Sequence, residues 1–200
     1  MKNDVWLFAG KMLIVGLLFS HFSAAVWAES KFSYAKDNEA VVVRYSRTPG
    51  ELEALDSSTI VTVYGGGRVV IHYPEFGARK GDYETSLSTS ELDELVATLV
   101  DNDVMEFDPQ TVGKRAASTR QTQNLKFYTA DADVSRIEIN LAQYTPPGGA
   151  TRDGAEKAVS ISGLQSMYRQ FPSDAALRGL ATAERQLIKL IGSDKLTPLR

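Results

Sequence analysis

The feature that most constrains this fold is the stretch 58–73, where three consecutive glycines join two β-branched, apolar runs into a predicted β-hairpin. A loop of two glycines would mix polar and apolar side chains on both faces, whereas a loop of three collects the apolar ones on one face. Because a slip of one residue would exchange the faces, burial selects the three-residue loop. The predicted core face carries Val61, Val63, Val69, Ile71 and Tyr73. The predicted opposite face carries Ile60, Thr62, Tyr64, Arg68, Val70 and His72.

The glycine loop is predicted to be a turn rather than a phosphate-binding element. The three-residue register puts Gly67 at the left-handed position of a type I turn with a G1 bulge, which glycine adopts without strain. Glycine loops that hold phosphates lead into a helix, but Arg68 is followed by a strand. We therefore expect no nucleotide at this loop, and we predict no cofactor elsewhere in the chain.

The first 28 residues have the layout of a secretory signal peptide. A basic start precedes a short apolar run over 12–19, and small residues follow up to Ala28. Cleavage is expected after Ala28, with Ala25 as the second choice. The competing interpretation is an uncleaved membrane anchor, for which the apolar run is short. The sequence therefore predicts a periplasmic or secreted protein with no stable membrane span after cleavage.

The composition removes several classes of site. The chain has no cysteine, so disulfides, thiol nucleophiles and cysteine-based metal centres are excluded. Of its two histidines, only His72 would survive cleavage. The net charge of −3 and the lack of a dense run of Lys or Arg argue against a nucleic-acid partner.

Two helices are predicted, each from an N-cap followed by an apolar stripe. Ser88 and Glu91 form a capping box that opens an amphipathic helix over 89–101. The second helix begins after Ser173 as the N-cap and ends near Gly192.

The rest of the chain is predicted to consist of strands and loops. Outside the hairpin, the predicted strands cover 40–46, 125–129, 134–141 and 157–163. The strand over 125–129 is expected to pair with the strand over 134–141. Residues 110–123 and 144–154 are predicted to be exposed loops available for contacts.

These elements together predict an α+β fold, an antiparallel sheet built from hairpins with two helices on one face. The predicted organisation is a signal peptide over 1–28, a poorly ordered lead-in over 29–39, a single domain over 40–192 and a tail over 193–200.

The order of the motifs resembles an uncharacterised domain family of secreted and lipid-anchored bacterial proteins. The resemblance rests on Ser-Arg-Thr-Pro at 46–49, Tyr-Gly-Gly-Gly at 64–67 and Leu-Ser at 87–88, which opens a helix. It covers about residues 40–191, and it implies the same fold and export but no activity, since none is established for the family. Members usually carry two cysteines after Ser-Arg-Thr-Pro, whereas Gly50 stands at the first of these positions here.

No catalytic or metal-binding residue is predicted. A catalytic triad would need a serine and an acid brought to His72 from elsewhere, and the chain has no G-x-S-x-G elbow, so a histidine packed on the sheet is favoured. The acidic run over 101–108 lacks the alternating oxygen ligands of a calcium loop and is favoured as a solvated helix end.

The candidate ligand-binding residues are Arg47, Tyr64, Arg68 and His72. Arginine and tyrosine at one end of a sheet suit an anionic or glycan ligand. The competing interpretation is that these side chains only keep the surface soluble.

The leading functional hypothesis is an exported, non-catalytic binding or protein-interaction module of the cell envelope, with an envelope protein or a glycan as its partner. The alternative is a cell-envelope hydrolase that uses carboxylates and His72.

Overall fold

The computed structural model describes residues 31–50, 57–123 and 132–199, without the side chains of 119–123. Eight strands of these residues form one antiparallel sheet. They are β1 (Phe32–Ser33), β2 (Val41–Thr48), β3 (Thr59–Tyr64), β4 (Arg68–Tyr73), β5 (Gly81–Ser86), β6 (Val134–Tyr144), β7 (Arg152–Ser162) and β8 (Thr197–Pro198). The order across the sheet is β1–β6–β2–β3–β4–β5–β8, and β7 pairs with the other edge of β6.

Four helices of the described residues complete the fold. They are α1 (Thr89–Asp101), α2 (Pro109–Gln123), α3 (Leu164–Gln170) and α4 (Ala175–Ile191). All four contribute buried side chains to a cluster that also contains the apolar face of the hairpin. The α+β class and the antiparallel sheet are confirmed, with four helices where the sequence predicts two.

The hairpin formed by β3 and β4 has the predicted register. Val63 lies opposite Val69, and Val61 lies opposite Ile71. The φ angle of Gly67 is 91°, and its N–H donates to the carbonyl of Tyr64 at 2.9 Å, which closes the predicted turn. The five side chains predicted for the core face are all buried, at 8% exposure or less.

Two of the hairpin glycines have a further role that the turn does not require. A Cβ added at Gly65 would collide with the carbonyl of Ala35, and one added at Gly66 would collide with the side chain of Asn38. The N–H of Gly65 also donates to the carbonyl of Ala40 at 2.9 Å. The segment before β2 therefore packs across the turn so closely that only glycine fits.

Helix α1 begins at its predicted capping box. The backbone N–H of Ser88 donates to Oε2 of Glu91 at 2.7 Å, and the backbone N–H of Glu91 donates to Oγ of Ser88 at 3.3 Å. The helix ends at Asn102, its C-cap. Its buried side chains recur at helical spacing: Leu92, Leu95, Val96, Leu99 and Val100.

The predicted N-cap of the last helix is wrong by one residue. Asp174, not Ser173, caps α4, because its carboxylate accepts the N–H of Leu177 at 3.1 Å. The same carboxylate pairs with Arg115 of α2 at 3.0 Å. Asp174 thus caps one helix and ties it to another, a long-range contact that Ser173 could not provide. The predicted end at Gly192 is confirmed.

The predicted exposed loop over 110–123 is wrong, because these residues form most of α2. The carboxylate of Asp108 accepts the N–H groups of Gln110 and Thr111 at 3.0 and 3.2 Å, and Pro109 occupies the first turn. Only Val112 and Ala116 of its described side chains are buried, so the apolar periodicity is too sparse to predict a helix.

The predicted strand over 125–129 lies outside the described residues. Its expected partner, β6, pairs with β2 over 134–139 and with β7 over 134–144. Strand β7 begins before the predicted 157–163, and the predicted loop over 144–154 shortens to a turn between β6 and β7.

Both ends of the described chain belong to the sheet. Phe32 lies opposite Tyr144 of β6, and Tyr34 is buried, so the described part of the predicted lead-in, residues 31–39, contacts the sheet and the core. In the predicted tail, Thr197 lies opposite Glu84 of β5. No helix among the described residues is long and apolar enough to cross a membrane.

Candidate functional site

The two faces of the sheet differ. One face, the covered face, packs against the helices. Side chains of the opposite face, the open face, alternate with these buried ones, and no helix of the described residues contributes to it. Cross-strand pairing places on the open face Arg44, Ile60, Thr62, Tyr64, Arg68, Val70, His72, Asp82, Glu84, Arg136 and Glu138.

The four predicted ligand-binding residues fall into three places. Tyr64 and Arg68 meet beside the hairpin turn, where the guanidinium lies 3.9 Å from the centre of the ring. This is a cation–π contact on the open face. Both side chains are partly exposed.

His72 lies at the far end of the same strand from Arg68. The two Cα positions are about 13 Å apart, from the rise of an antiparallel strand. Nδ1 of His72 lies 2.7 Å from Oδ1 of Asp82, its cross-strand neighbour. The histidine is therefore on the open face with Tyr64 and Arg68 but not in contact range of them.

Arg47 is on the covered face. It lies two residues after the buried Tyr45 on β2 and therefore on the same face, and its Nε donates to Oδ2 of Asp133 at 2.7 Å. Burial by itself would lower the pKa of Arg47, but the hydrogen bond and charge of Asp133, together with the charge of Glu184, raise it above its ordinary value. The four candidate residues therefore do not lie together in one site.

The structure instead brings together a buried polar cluster that the sequence does not predict. Glu184 of α4 is only 2% exposed, and its Oε1 accepts the hydroxyl of Tyr45 at 3.0 Å. The hydroxyl of Ser135 also donates to Oε1, and the amide of Gln165 donates to Oε2. We call these four residues, which come from α4, β2, β6 and α3, the carboxylate cluster.

The carboxylate cluster breaks the pattern of an apolar core. Burying an ionised carboxylate costs several kcal/mol unless donors replace the lost water. Burial, followed by the nearby charge of Glu184, raises the pKa of Tyr45, so its hydroxyl keeps the proton that it donates. An acidic side chain in the core departs from the rule that buried helix positions are apolar. Departures of this kind are common at functional sites.

One sequence signal could have revealed Glu184. It lies on the apolar stripe of α4, one turn after Leu180 and one turn before Leu187, where every other large side chain is apolar. An acid at a core position requires donors. The donors themselves could not be read from the sequence, because Tyr45 is 139 residues away.

A cleft of about 260 Å³ opens beside the carboxylate cluster. Glu184 and Gln165 are among the residues that line it, together with the Arg47–Asp133 pair. Ser166 and Arg169 of α3 also line the cleft. The cleft thus contains polar and charged groups from the strands and from both C-terminal helices.

Among the described residues, no group of three or more His, Asp or Glu side chains is placed to hold a metal ion. The acidic run over 101–108 is used structurally instead. Asp101 pairs with Lys31 at 3.0 Å, and Asp108 caps α2.

The chain matches no known protein-family model, and no curated protein matches it significantly.

Proposed function

We propose that the chain is an exported, non-catalytic binding module of the cell envelope that engages a protein partner through the open face of its sheet. The observation that carries this proposal is the composition of that face, where Tyr64, Arg68 and His72 are only partly buried. Tyrosine and arginine contribute most to binding energy in protein interfaces.

The charges of the open face favour a protein over a polyanion as the partner. Its basic side chains include Arg44, Arg68 and Arg136, and its acidic ones include Asp82, Glu84, Glu138 and Glu156. Arg136 and Glu138 pair with each other at 2.6 Å. Partly buried Ile60, Thr62 and Val70 lie between these charges. A mixture of both charge signs around apolar side chains complements a protein surface of the same kind.

Export is supported by the first 28 residues, whose layout is that of a signal peptide, and by the resemblance of the motifs to secreted and lipid-anchored proteins. Both tryptophans of the chain, Trp6 and Trp27, lie before the predicted cleavage site after Ala28. Protein recovered outside the cytoplasm should therefore lack tryptophan fluorescence. Clear tryptophan emission from exported material would contradict cleavage at Ala28.

The docking proposal can be tested with a photo-crosslinking residue placed at Thr62 on the open face and, as the matched control, at Thr182 on α4. We expect one discrete adduct with an envelope protein from position 62 and none from position 182. With that partner purified, Arg68→Ala should weaken its binding by about thirtyfold or more, the loss typical of an interface hot spot. Equal adducts from both positions, or unchanged affinity in Arg68→Ala, would contradict the proposal.

The alternative, an envelope hydrolase, draws on the contact between His72 and Asp82 at 2.7 Å. His72 and the buried Glu184 lie on opposite faces of the sheet, so one active site cannot use both. If His72→Ala abolished a measured hydrolysis and left the circular dichroism spectrum unchanged, the non-catalytic proposal would be wrong.

A further inference from the structure

The cleft beside the carboxylate cluster lies on the covered face, away from the proposed docking face. Its lining contains two arginines and two carboxylates, of which only Arg47 and Asp133 form an ion pair. Arg47 and Asp133 neutralise each other as an ion pair. Glu184 forms no ion pair with the described residues, and its three hydrogen-bond donors, from Tyr45, Ser135 and Gln165, are all neutral. Arg47 is the nearby cation of the cleft lining, but it is already paired with Asp133, so within the described part of the chain the two carboxylates share one cation.

A positive charge without an ion-pair partner among the described residues also lines the cleft. Arg169 of α3 is exposed, and among the described residues its guanidinium has one polar contact, the donation from Nη2 to Oγ of Ser166 at 3.2 Å. No carboxylate of the described residues lies within ion-pair distance of it. The remaining N–H groups of a guanidinium form a planar fork that fits a carboxylate.

The carboxylate of Glu184 can accept one more hydrogen bond. A carboxylate oxygen accepts about two hydrogen bonds. Oε1 of Glu184 already accepts two, from Tyr45 and Ser135, whereas Oε2 accepts one, from Gln165. Oε2 is therefore the oxygen that can accept a donor from a bound molecule, and a charged donor would give it the strongest bond.

We propose that this cleft binds a small zwitterion that carries a primary ammonium and a carboxylate, the chemistry of an amino acid or a very short peptide. The ammonium donates to Oε2 of Glu184 and supplies the missing positive charge. The carboxylate accepts from Arg169 and from the hydroxyl of Ser166. The cleft volume of about 260 Å³ suits a ligand of this size.

The ligand test uses titration calorimetry of the mature chain with alanine, β-alanine, γ-aminobutyrate and alanyl-alanine, which carry the two charges at increasing separation. At least one should bind saturably. Its N-acetyl form lacks the ammonium and its methyl ester lacks the carboxylate, so each should bind about ten- to a hundredfold more weakly, the usual loss of a charged hydrogen bond. If no member of the panel binds, or if the blocked forms bind equally well, the proposal is overturned.

The variant test uses a matched pair of arginines. Arg169→Gln should lose about tenfold or more in affinity, whereas Arg178→Gln, which removes the same charge from an exposed position on α4, should bind like the parent. Glu184→Gln should also lose binding, with circular dichroism as the check on folding. If that variant does not fold, Ser166→Ala replaces it, and equal binding by Arg169→Gln and Arg178→Gln overturns the proposal.

This inference is independent of the docking proposal. Arg68→Ala on the open face should leave zwitterion binding unchanged, and Arg169→Gln should leave partner crosslinking at Thr62 unchanged. Failure of one proposal is therefore distinguishable from failure of the other.

Discussion

The two faces of the sheet hold their polar side chains in different ways. Against the covered face, Glu184 of α4 is 2% exposed and accepts three side-chain hydrogen bonds. On the open face, Arg68 stacks on Tyr64 and stays partly exposed. The difference follows from solvent, because water can complete the hydrogen bonding of an exposed group but not of a buried one.

Substitutions on the two faces should have different effects on the stability of the fold. A change on the covered face removes contacts that nothing replaces, whereas a change on the open face lets water fill the space. Matched substitutions of the same residue type, one on each face, should therefore differ in their effect on the free energy of unfolding. Partner binding should show the opposite difference: a substitution on the open face should weaken it more than one on the covered face, since only exposed side chains can contact a partner.

The largest difference is expected between two adjacent valines of β4. Val69 is fully buried on the covered face, and Val70 is partly exposed on the open face. Val69→Ala should lower the free energy of unfolding by about 2–3 kcal/mol, because it removes buried methyl groups and leaves a cavity. Val70→Ala should lower it by less than about 1 kcal/mol. Urea denaturation measures both, and equal losses would contradict the assignment of the two faces.

A smaller difference is expected between two tyrosines. The hydroxyl of Tyr45 donates to Glu184 at 3.0 Å, whereas the hydroxyl of Tyr64 has no hydrogen bond to the described residues. Tyr45→Phe should lower the free energy of unfolding by about 1–3 kcal/mol, because the buried carboxylate loses a donor. Tyr64→Phe should change it by no more than about 0.5 kcal/mol. A Tyr45→Phe variant as stable as Tyr64→Phe would show that Glu184 does not need this donor.

The smallest effect is expected for the exposed carboxylate of Glu91, which accepts hydrogen bonds from Ser88, three residues earlier in the chain. The backbone N–H and then the hydroxyl of Ser88 lower the pKa of Glu91 below its ordinary value. Because the folded state has the lower pKa, the stabilisation is present above the unfolded pKa and is lost as the pH falls through the folded one. Thermal denaturation at neutral and acidic pH should therefore show a smaller acid loss for Glu91→Gln than for the parent.

The control for this prediction is Glu94→Gln, which removes the same charge from the same helix but leaves the capping box intact. It should keep the acid loss of the parent. Identical pH profiles for Glu91→Gln and the parent would mean that the capping box adds nothing to the acid dependence.

The parts of the fold that the sequence predicts correctly are those decided within a few residues. The hairpin register depends on alternation across one turn, and the start of α1 depends on Ser88 and Glu91, three residues apart. The parts that it misses depend on distant partners. Helix α2 has only two buried described side chains, and an ion pair between Arg115 and Asp174 joins it to α4.

The candidate site shows the same division. The sequence identifies Arg47, Tyr64, Arg68 and His72 as residues able to bind, but only the tertiary structure separates Arg47 onto the covered face. The sequence shows which residues have side chains able to bind a ligand. Which of them lie close together depends on which strands are neighbours in the sheet. Strand order is a long-range property that alternation along a single strand does not contain.

By itself, the sequence determined the class of the fold, the turn at Gly67 and the apolar face of the hairpin, because backbone freedom and side-chain alternation are local. The tertiary structure alone decided that Gly65 and Gly66 support the segment before β2. It alone also decided that Glu184 would be buried among donors from three other elements. Burial and hydrogen-bond satisfaction depend on residues far apart in the chain, so they exist only once the chain is folded.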